Sequence, residues 1–293
     1  MKVEVKKLDQ LKRELQVEVS GDEYQTYKKN TYLESGKKLK VPGFRPGNVP
    51  YEMLVKHHDK ALSQEFMKQA LPLYYQKALQ EQNISPAGYP QIHDVDMNDR
   101  AFSFRAEVEI QPEISVSENE YRGIKIKEKV EPVEPVEIEK VISNIKEGIK
   151  KVAKKELSDE EIAHWVGYPD RDTLREAIKG EIFIEKLRSR RQKIDSRISQ
   201  HLLKQVNVQA PRTEVENMHK EFVRREMQNL QARGVPQQDI EKYKKEIEEK
   251  TKTLAEDQVK LSYIIRAIAQ KEHIEGKGLG EAVLGTILYY AKY

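Results

Sequence analysis

The chain has 293 residues, of which 38% are hydrophobic and 34% charged, so it has room for two domains but is polar for one compact globule. Lys plus Arg number 52 against 49 for Asp plus Glu, and a net charge of +3 lacks the strong basic excess of a general nucleic-acid binder. Cysteine is absent, which excludes disulfides, thiol nucleophiles and cysteine metal sites. The first residues, Met1-Lys2-Val3-Glu4-Val5-Lys6-Lys7, alternate charge and valine without the apolar core of a signal peptide. No apolar run reaches the length of a membrane span, so a cytoplasmic protein with no membrane partner is expected.

Val3 and Val5, then Leu15, Val17 and Val19, alternate with polar residues and predict two strands joined by a turn near residues 8–11. Ser20 and Asp22 can cap a helix through Tyr24, Tyr27 and Tyr32 that Gly36 ends. Lys37, Lys38 and Lys40 lead into Val41-Pro42-Gly43-Phe44-Arg45-Pro46-Gly47-Asn48-Val49-Pro50. Two glycines and three prolines in ten residues cannot continue a helix, so the stretch is a shaped loop. An aromatic ring beside a guanidinium on a stiff turn suits docking onto a phosphate-rich or acidic surface. The alternative is a plain helix connection with Phe44 turned inward. Pro50 opens the next helix, which carries Leu54, Leu62, Phe66, Ala70 and Leu71; Pro72 is a candidate kink before Tyr74, Tyr75, Ala78 and Leu79. Residues 85–90 read as loop and 94–100 as a polar turn. In 101–110, Phe102, Phe104, Ala106, Val108 and Ile110 share one strand face. This order predicts an α+β domain, an antiparallel sheet with two helices on one side.

The loop resembles the ribosome-docking signature of bacterial trigger factor, roughly Gly-Phe-Arg-x-Gly-x-x-Pro, which here reads Gly43-Phe44-Arg45-Pro46-Gly47-Asn48-Val49-Pro50. Asn83-Ile84-Ser85-Pro86-Ala87-Gly88-Tyr89-Pro90 and Phe102-Ser103-Phe104-Arg105-Ala106-Glu107-Val108-Glu109-Ile110, followed by Pro112-Glu113, are similar to the family's next segments in order and spacing. Beyond about Leu157 the resemblance is looser. It implies a ribosome-binding domain at 1–115, an extended linker and connecting helix at 116–150, and an extended all-α chaperone domain at 151–293. The residues implied to meet the ribosome are Gly43, Phe44, Arg45, Pro46 and Gly47, with Lys37, Lys38 and Lys40. Pro46 and Asn48 stand where the family often has basic residues, which weakens the expected contact with an RNA-rich surface; the three lysines can compensate.

Ile124, Ile126 and Val130 extend into Glu131-Pro132-Val133-Glu134-Pro135, a stiff linker. A helix over 136–152 carries Ile138, Val141, Ile142, Ile145 and Ile149. Where the family has its peptidyl-prolyl isomerase domain, Lys150-Lys151-Val152-Ala153-Lys154-Lys155-Glu156-Leu157 runs directly into Ser158-Asp159-Glu160-Glu161 and Trp165. Thr173 with Glu176, and Thr213 with Glu216, read as capping boxes. The first opens a helix with Leu174, Ile178, Ile182, Leu187, Ile194, Ile198 and Leu202. The second opens one with Val215, Met218, Phe222, Val223, Met227 and Leu230. Ile240, Ile247, Leu254, Leu261 and Ile268 recur every seven residues, an antiparallel hairpin seam because only residues 234–238 intervene. Gly276, Gly278 and Gly280 break the chain before a last helix at 279–290. They stand where the family has a second helical arm, so the C-terminal domain looks trimmed.

No phosphate-binding Gly-x-x-x-x-Gly-Lys-Ser/Thr loop and no His-Glu-x-x-His occurs, so no cofactor, no metal and no catalytic residue is expected. Trp165 reads as a core anchor rather than a binding aromatic. Met218, Phe222, Met227, Tyr243, Tyr263, Tyr289 and Tyr290 can form an apolar wall for unfolded chain, since Met is soft and Tyr joins apolar area to a polar tip. Each could instead fill an ordinary helix–helix core. The expectation is an ATP-independent chaperone, not an enzyme. It would dock near the ribosomal exit tunnel on large-subunit protein and rRNA, and shield nascent or unfolded polypeptides without isomerase activity. The alternative is a ribosome-independent holdase or assembly scaffold that self-associates, for instance as a homodimer.

Overall fold

A computed structural model describes residues 1–45, 47–153 and 157–292. Packing divides them into two units: Met1–Ile114 with Val208–Tyr263, and Ser115–Asn207 with Ile264–Tyr293.

The first unit begins with β1 (Lys2–Lys7), β2 (Lys12–Ser20), α1 (Gly21–Gly36), α2 (Tyr51–Glu81), β3 (Gln91–Met97) and β4 (Ala101–Glu109). The sheet is antiparallel in the order β1-β2-β4-β3. Register puts Leu15 opposite Ala106, Val17 opposite Phe104 and Val19 opposite Phe102. These alternating residues are fully or almost fully buried, so one sheet face is the core and the other meets water. The two helices cover that face. Phe66 of α2 meets Tyr24, Tyr27 and Phe102 edge-on at 5.8, 5.6 and 5.5 Å between ring centres.

Two expectations fail here. Residues 94–97 belong to β3, whose outward Asp94 and Asp96 hide the strand in a polar stretch; the turn is only 98–100. The Asn98 side chain ties that turn by accepting from the Arg100 and Ala101 amides at 2.8 and 2.9 Å. In α2 the backbone leaves helical geometry at His58 (φ −136°, ψ 20°) rather than at Pro72. Pro72 lies on the exposed face, where water can take the carbonyl that its missing N–H leaves free.

The same unit contains α7 (Arg212–Ala232) and most of α8 (Gln237–Lys271). No side chain caps α7 from Thr213; instead the Thr213 amide donates to the Glu109 carboxylate at 2.7 Å. The heptad seam also needs correction. Ile240 and Ile247 are buried, but Leu254 is 57% exposed while Thr251, Ala255 and Val259 go inside. A straight helix drifts about 20° per heptad, so a seven-residue spacing walks off the contact face.

The second unit contains α3 (Glu118–Tyr121), α4 (Pro135–Ala153), α5 (Asp159–Trp165), α6 (Arg171–Gln205) and α9 (Leu279–Tyr289). Ile138, Ile142, Ile162, Leu174 and Ile178 form one core, and α6 buries Ile194, Ile198 and Leu202 further along. The cap of α6 is Asp170, whose carboxylate accepts the Thr173 amide at 2.7 Å, in place of the Thr173–Glu176 box. Trp165, the expected core anchor, is 56% exposed because Ile162 and Ala163 fill the inward face of the short α5. Residues 154–156 of the expected linking run lie outside the described residues. Tyr121 and Arg122 both donate to Glu272, Arg122 at 2.7 Å, and hold its carboxyl below the usual carboxylate range. No helix among the described residues is long and apolar enough to cross a membrane.

Candidate functional site

The loop between α1 and α2 is two turns in tandem. Phe44 N–H donates to Val41 O at 3.1 Å, with Pro42 and Gly43 between them and Gly43 at φ +84°. Proline then a positive-φ glycine is what a type II turn requires. Asn48 N–H donates to Arg45 O at 3.0 Å, with Gly47 at φ +89°. Pro46, expected in the site, lies outside the described residues.

Both ends of the loop are fixed. Val41 and Val49 are 3% and 6% exposed and belong to the core. At Gly36 a Cβ would come within 2.5 Å of Leu54, so glycine lets the end of α1 close onto α2. The break at His58 places its Nε2 3.0 Å from Lys40 O. Tyr32 bonds the Ser63 hydroxyl at 2.8 Å, and burial pushes its phenol up to about 12. Between these anchors Phe44 is 38% exposed and outside the core, and Arg45 is exposed. Lys37, Lys38 and Lys40 are exposed as well; Lys37 also pairs with Glu34 at 2.6 Å. The inward placement of Phe44 is therefore not what the chain adopts.

The residues expected to hold unfolded chain separate into groups. On α7, Met218, Phe222 and Met227 are half-buried, and none of its residues is fully buried. Between α7 and α8 lies a groove of about 540 Å³ whose walls include Phe222, Leu230, Tyr243, Ile247 and Leu254. Its rim is charged, with Arg225, Glu226, Glu246 and Lys250. Tyr243 is 52% exposed. Tyr263 is buried instead, its hydroxyl donating to Glu214 at 2.7 Å, so it offers a client little surface. Tyr289 is 82% exposed but belongs to the second unit, edge-on to Tyr290 at 5.1 Å. Sequence reasoning missed Leu254 as a groove residue because its spacing assigned it to the seam. No cluster of His, Asp and Glu able to hold a metal occurs among the described residues.

Two protein-family models match the chain: bacterial trigger factor protein over residues 1–145, and bacterial trigger factor protein C-terminus over 171–277. The chain belongs to the trigger factor family. Only residues 146–170 separate the two stretches, so no isomerase-sized region stands between them. Trigger factor of Clostridium kluyveri is 28% identical over 158 residues, 53% of this chain and 36% of that protein. Trigger factor of Geobacter sp. (strain M21) is 30% identical over 133 residues, 45% and 30% of the two chains. Trigger factor of Clostridium botulinum (strain Hall) is 28% identical over 177 residues, 58% and 41%. The chain thus spans between 30% and 41% of the length of these curated relatives. A solved chain from work on promiscuous substrate recognition in folding and assembly by the trigger factor chaperone superposes over 95% of this trigger factor and 87% of its own length, with TM-score 0.49 and 13% identity.

Proposed function

We propose that this trigger factor docks at the exit tunnel of the large ribosomal subunit through its tandem-turn loop and shields emerging chains without ATP. The observation that carries the reading is the loop itself. A family docking signature is held on two glycine turns and anchored by Val41 and Val49, and it leaves Phe44 and Arg45 accessible. A preformed loop loses little entropy on binding, which favours docking through few contacts. Phe44 supplies apolar area, Arg45 and the three lysines supply charge toward large-subunit protein and rRNA, and binding weakens as salt rises.

In sequence order residues 1–115 serve docking, 116–150 connect and 151–293 serve client binding, although Val208–Tyr263 of the last span packs in one unit with Met1–Ile114. The α7–α8 groove, with Tyr243 and the half-buried Met218, Phe222 and Met227, takes apolar segments of nascent or unfolded polypeptides. Burial contributes about 25 cal/mol per Å², so covering roughly 300 Å² stabilises by about 7.5 kcal/mol before ordering costs are subtracted. That leaves weak, exchangeable binding, which needs no nucleotide to release it. The chain lacks prolyl isomerase activity on this reading, because the family's isomerase region is missing.

Asn48, in place of a basic residue, favours a second reading: a ribosome-free holdase or scaffold. Co-sedimentation with ribosomes decides between them. The wild-type chain is expected to pellet and Phe44→Ala with Arg45→Ala to stay largely in the supernatant. A wild-type chain that suppresses aggregation yet never pellets belongs to the second reading.

A further inference from the structure

The nearly balanced net charge of +3 hides a local excess in the second unit. A cavity of about 370 Å³ opens between the extended residues 127–131 and the middle of α6, and five cations line it: Lys127, Lys129, Lys186, Arg190 and Lys193. Some of this charge is neutralised. Lys186 donates at 2.6 Å to both Glu137 and the Pro132 carbonyl. Glu128, which also lines the cavity, pairs with Arg197 at 2.5 Å. Among the described residues Lys127, Lys129 and Lys193 have no carboxylate partner, and the Arg190 Nε donates only to the Glu128 carbonyl at 2.7 Å. Against these four stands one lining carboxylate, Glu131, without an ion pair among the described residues. Four cations against one carboxylate leave three uncompensated positive charges in one pocket.

On α6 two of these cations continue a regular row whose end members, Lys186 and Arg197, carry the ion pairs just named. Lys186, Arg190, Lys193 and Arg197 are spaced by four, three and four residues, so they share one face of α6. At about 1.5 Å rise per residue they form a row roughly 16 Å long. Apart from Ser189 every lining side chain is charged, and none is aromatic or aliphatic. The apolar surface in the cavity is only the methylene stems of its long charged side chains, with no pocket for an apolar side chain, and an unstacked base would find no aromatic ring to lie on. A regular ladder of anions fits such a row.

We propose that this pocket and its row of cations bind the phosphate backbone of duplex RNA, by charge and shape rather than by sequence. The site uses no residue of the 43–50 loop, so it stands or falls separately from ribosome docking through that loop.

The test is fluorescence anisotropy of the full chain with a labelled blunt RNA duplex of about 16 base pairs, a length one compact RNA-binding domain spans. Each neutralised phosphate contributes about 0.7 to 0.9 to the slope of log affinity against log salt, so four contacts predict a slope near −3. Lys127→Gln with Lys129→Gln and Lys193→Gln removes side chains that have no polar partner among the described residues, so the helical melt should be unchanged. Affinity at low salt should fall more than tenfold and the slope should flatten by about 2 to 3. The charge-preserving Lys→Arg triple, and Phe44→Ala with Arg45→Ala, should bind the duplex like wild type. The proposal is overturned if the Gln triple binds as wild type does or if the Arg triple loses binding. A wild-type preference for poly-glutamate of equal charge over the duplex overturns it as well.

Discussion

Gly43 sets the conformation of the loop proposed to dock, and substituting it isolates that conformation from everything else. Its φ is +84°, and a Cβ added there would meet no atom within 4 Å. The cost of Gly43→Ala is therefore backbone strain alone, about 1–2 kcal/mol for a non-glycine residue in left-handed space. The loop can relax that strain by leaving the type II turn, since Val41 and Val49 hold its ends in the core. Global stability should then change little while the docking-competent fraction drops. A penalty of about 1–2 kcal/mol corresponds to roughly 5- to 30-fold, so the apparent Kd for ribosomes should rise by that factor. The assay is a ribosome titration alongside a thermal melt. Gly148→Ala is the control, because Gly148 lies inside α4 with open space around it; it should stabilise by about 0.5–1 kcal/mol and leave docking alone. If Gly43→Ala docks with wild-type affinity, the turn is not what prepares the loop.

Ile240→Ala, at a fully buried position, should lose about 2–5 kcal/mol in denaturant melts. Leu254→Ala, at a position 57% exposed in the same apparent repeat, should stay within about 0.5 kcal/mol of wild type. The Glu272 carboxyl is depressed by the Tyr121 hydroxyl and by Arg122, so its contribution is complete above the unfolded value near 4.3 and is lost as pH falls through the lower folded one. Glu272→Gln should flatten the acid-side fall of Tm; curves that fall in parallel would contradict this. Tyr243→Ser with Leu254→Ser, both more than half exposed, should reduce suppression of aggregation of a denatured model protein without lowering the melt. Unchanged suppression would place the client surface elsewhere, for example at Tyr289.

What could be read locally was legible in the sequence. Alternation in Leu15, Val17 and Val19 marked β2 because one sheet face is buried. Proline followed by glycine marked the loop because turn chemistry is written in adjacent residues. β3 was hidden because it is an edge strand whose outward residues are polar, and its identity comes from pairing with β4. Leu254 and Trp165 misled because periodicity and residue type say which side chains can be buried, while the partner surface decides which are. The cation pocket joins residues 127–131 to 186–193, a juxtaposition that no local spacing announces.

Replacing Phe44 with a photo-crosslinking phenylalanine analogue, in full chain mixed with translating ribosomes, shows what the tip of the loop touches during synthesis. A second probe at Tyr243 reports on the α7–α8 groove in the same reaction. Position 44 is expected to cross-link to a large-subunit component at the tunnel exit and position 243 to the nascent chain. Cross-links from position 44 only to other copies of this chain would contradict docking through the loop.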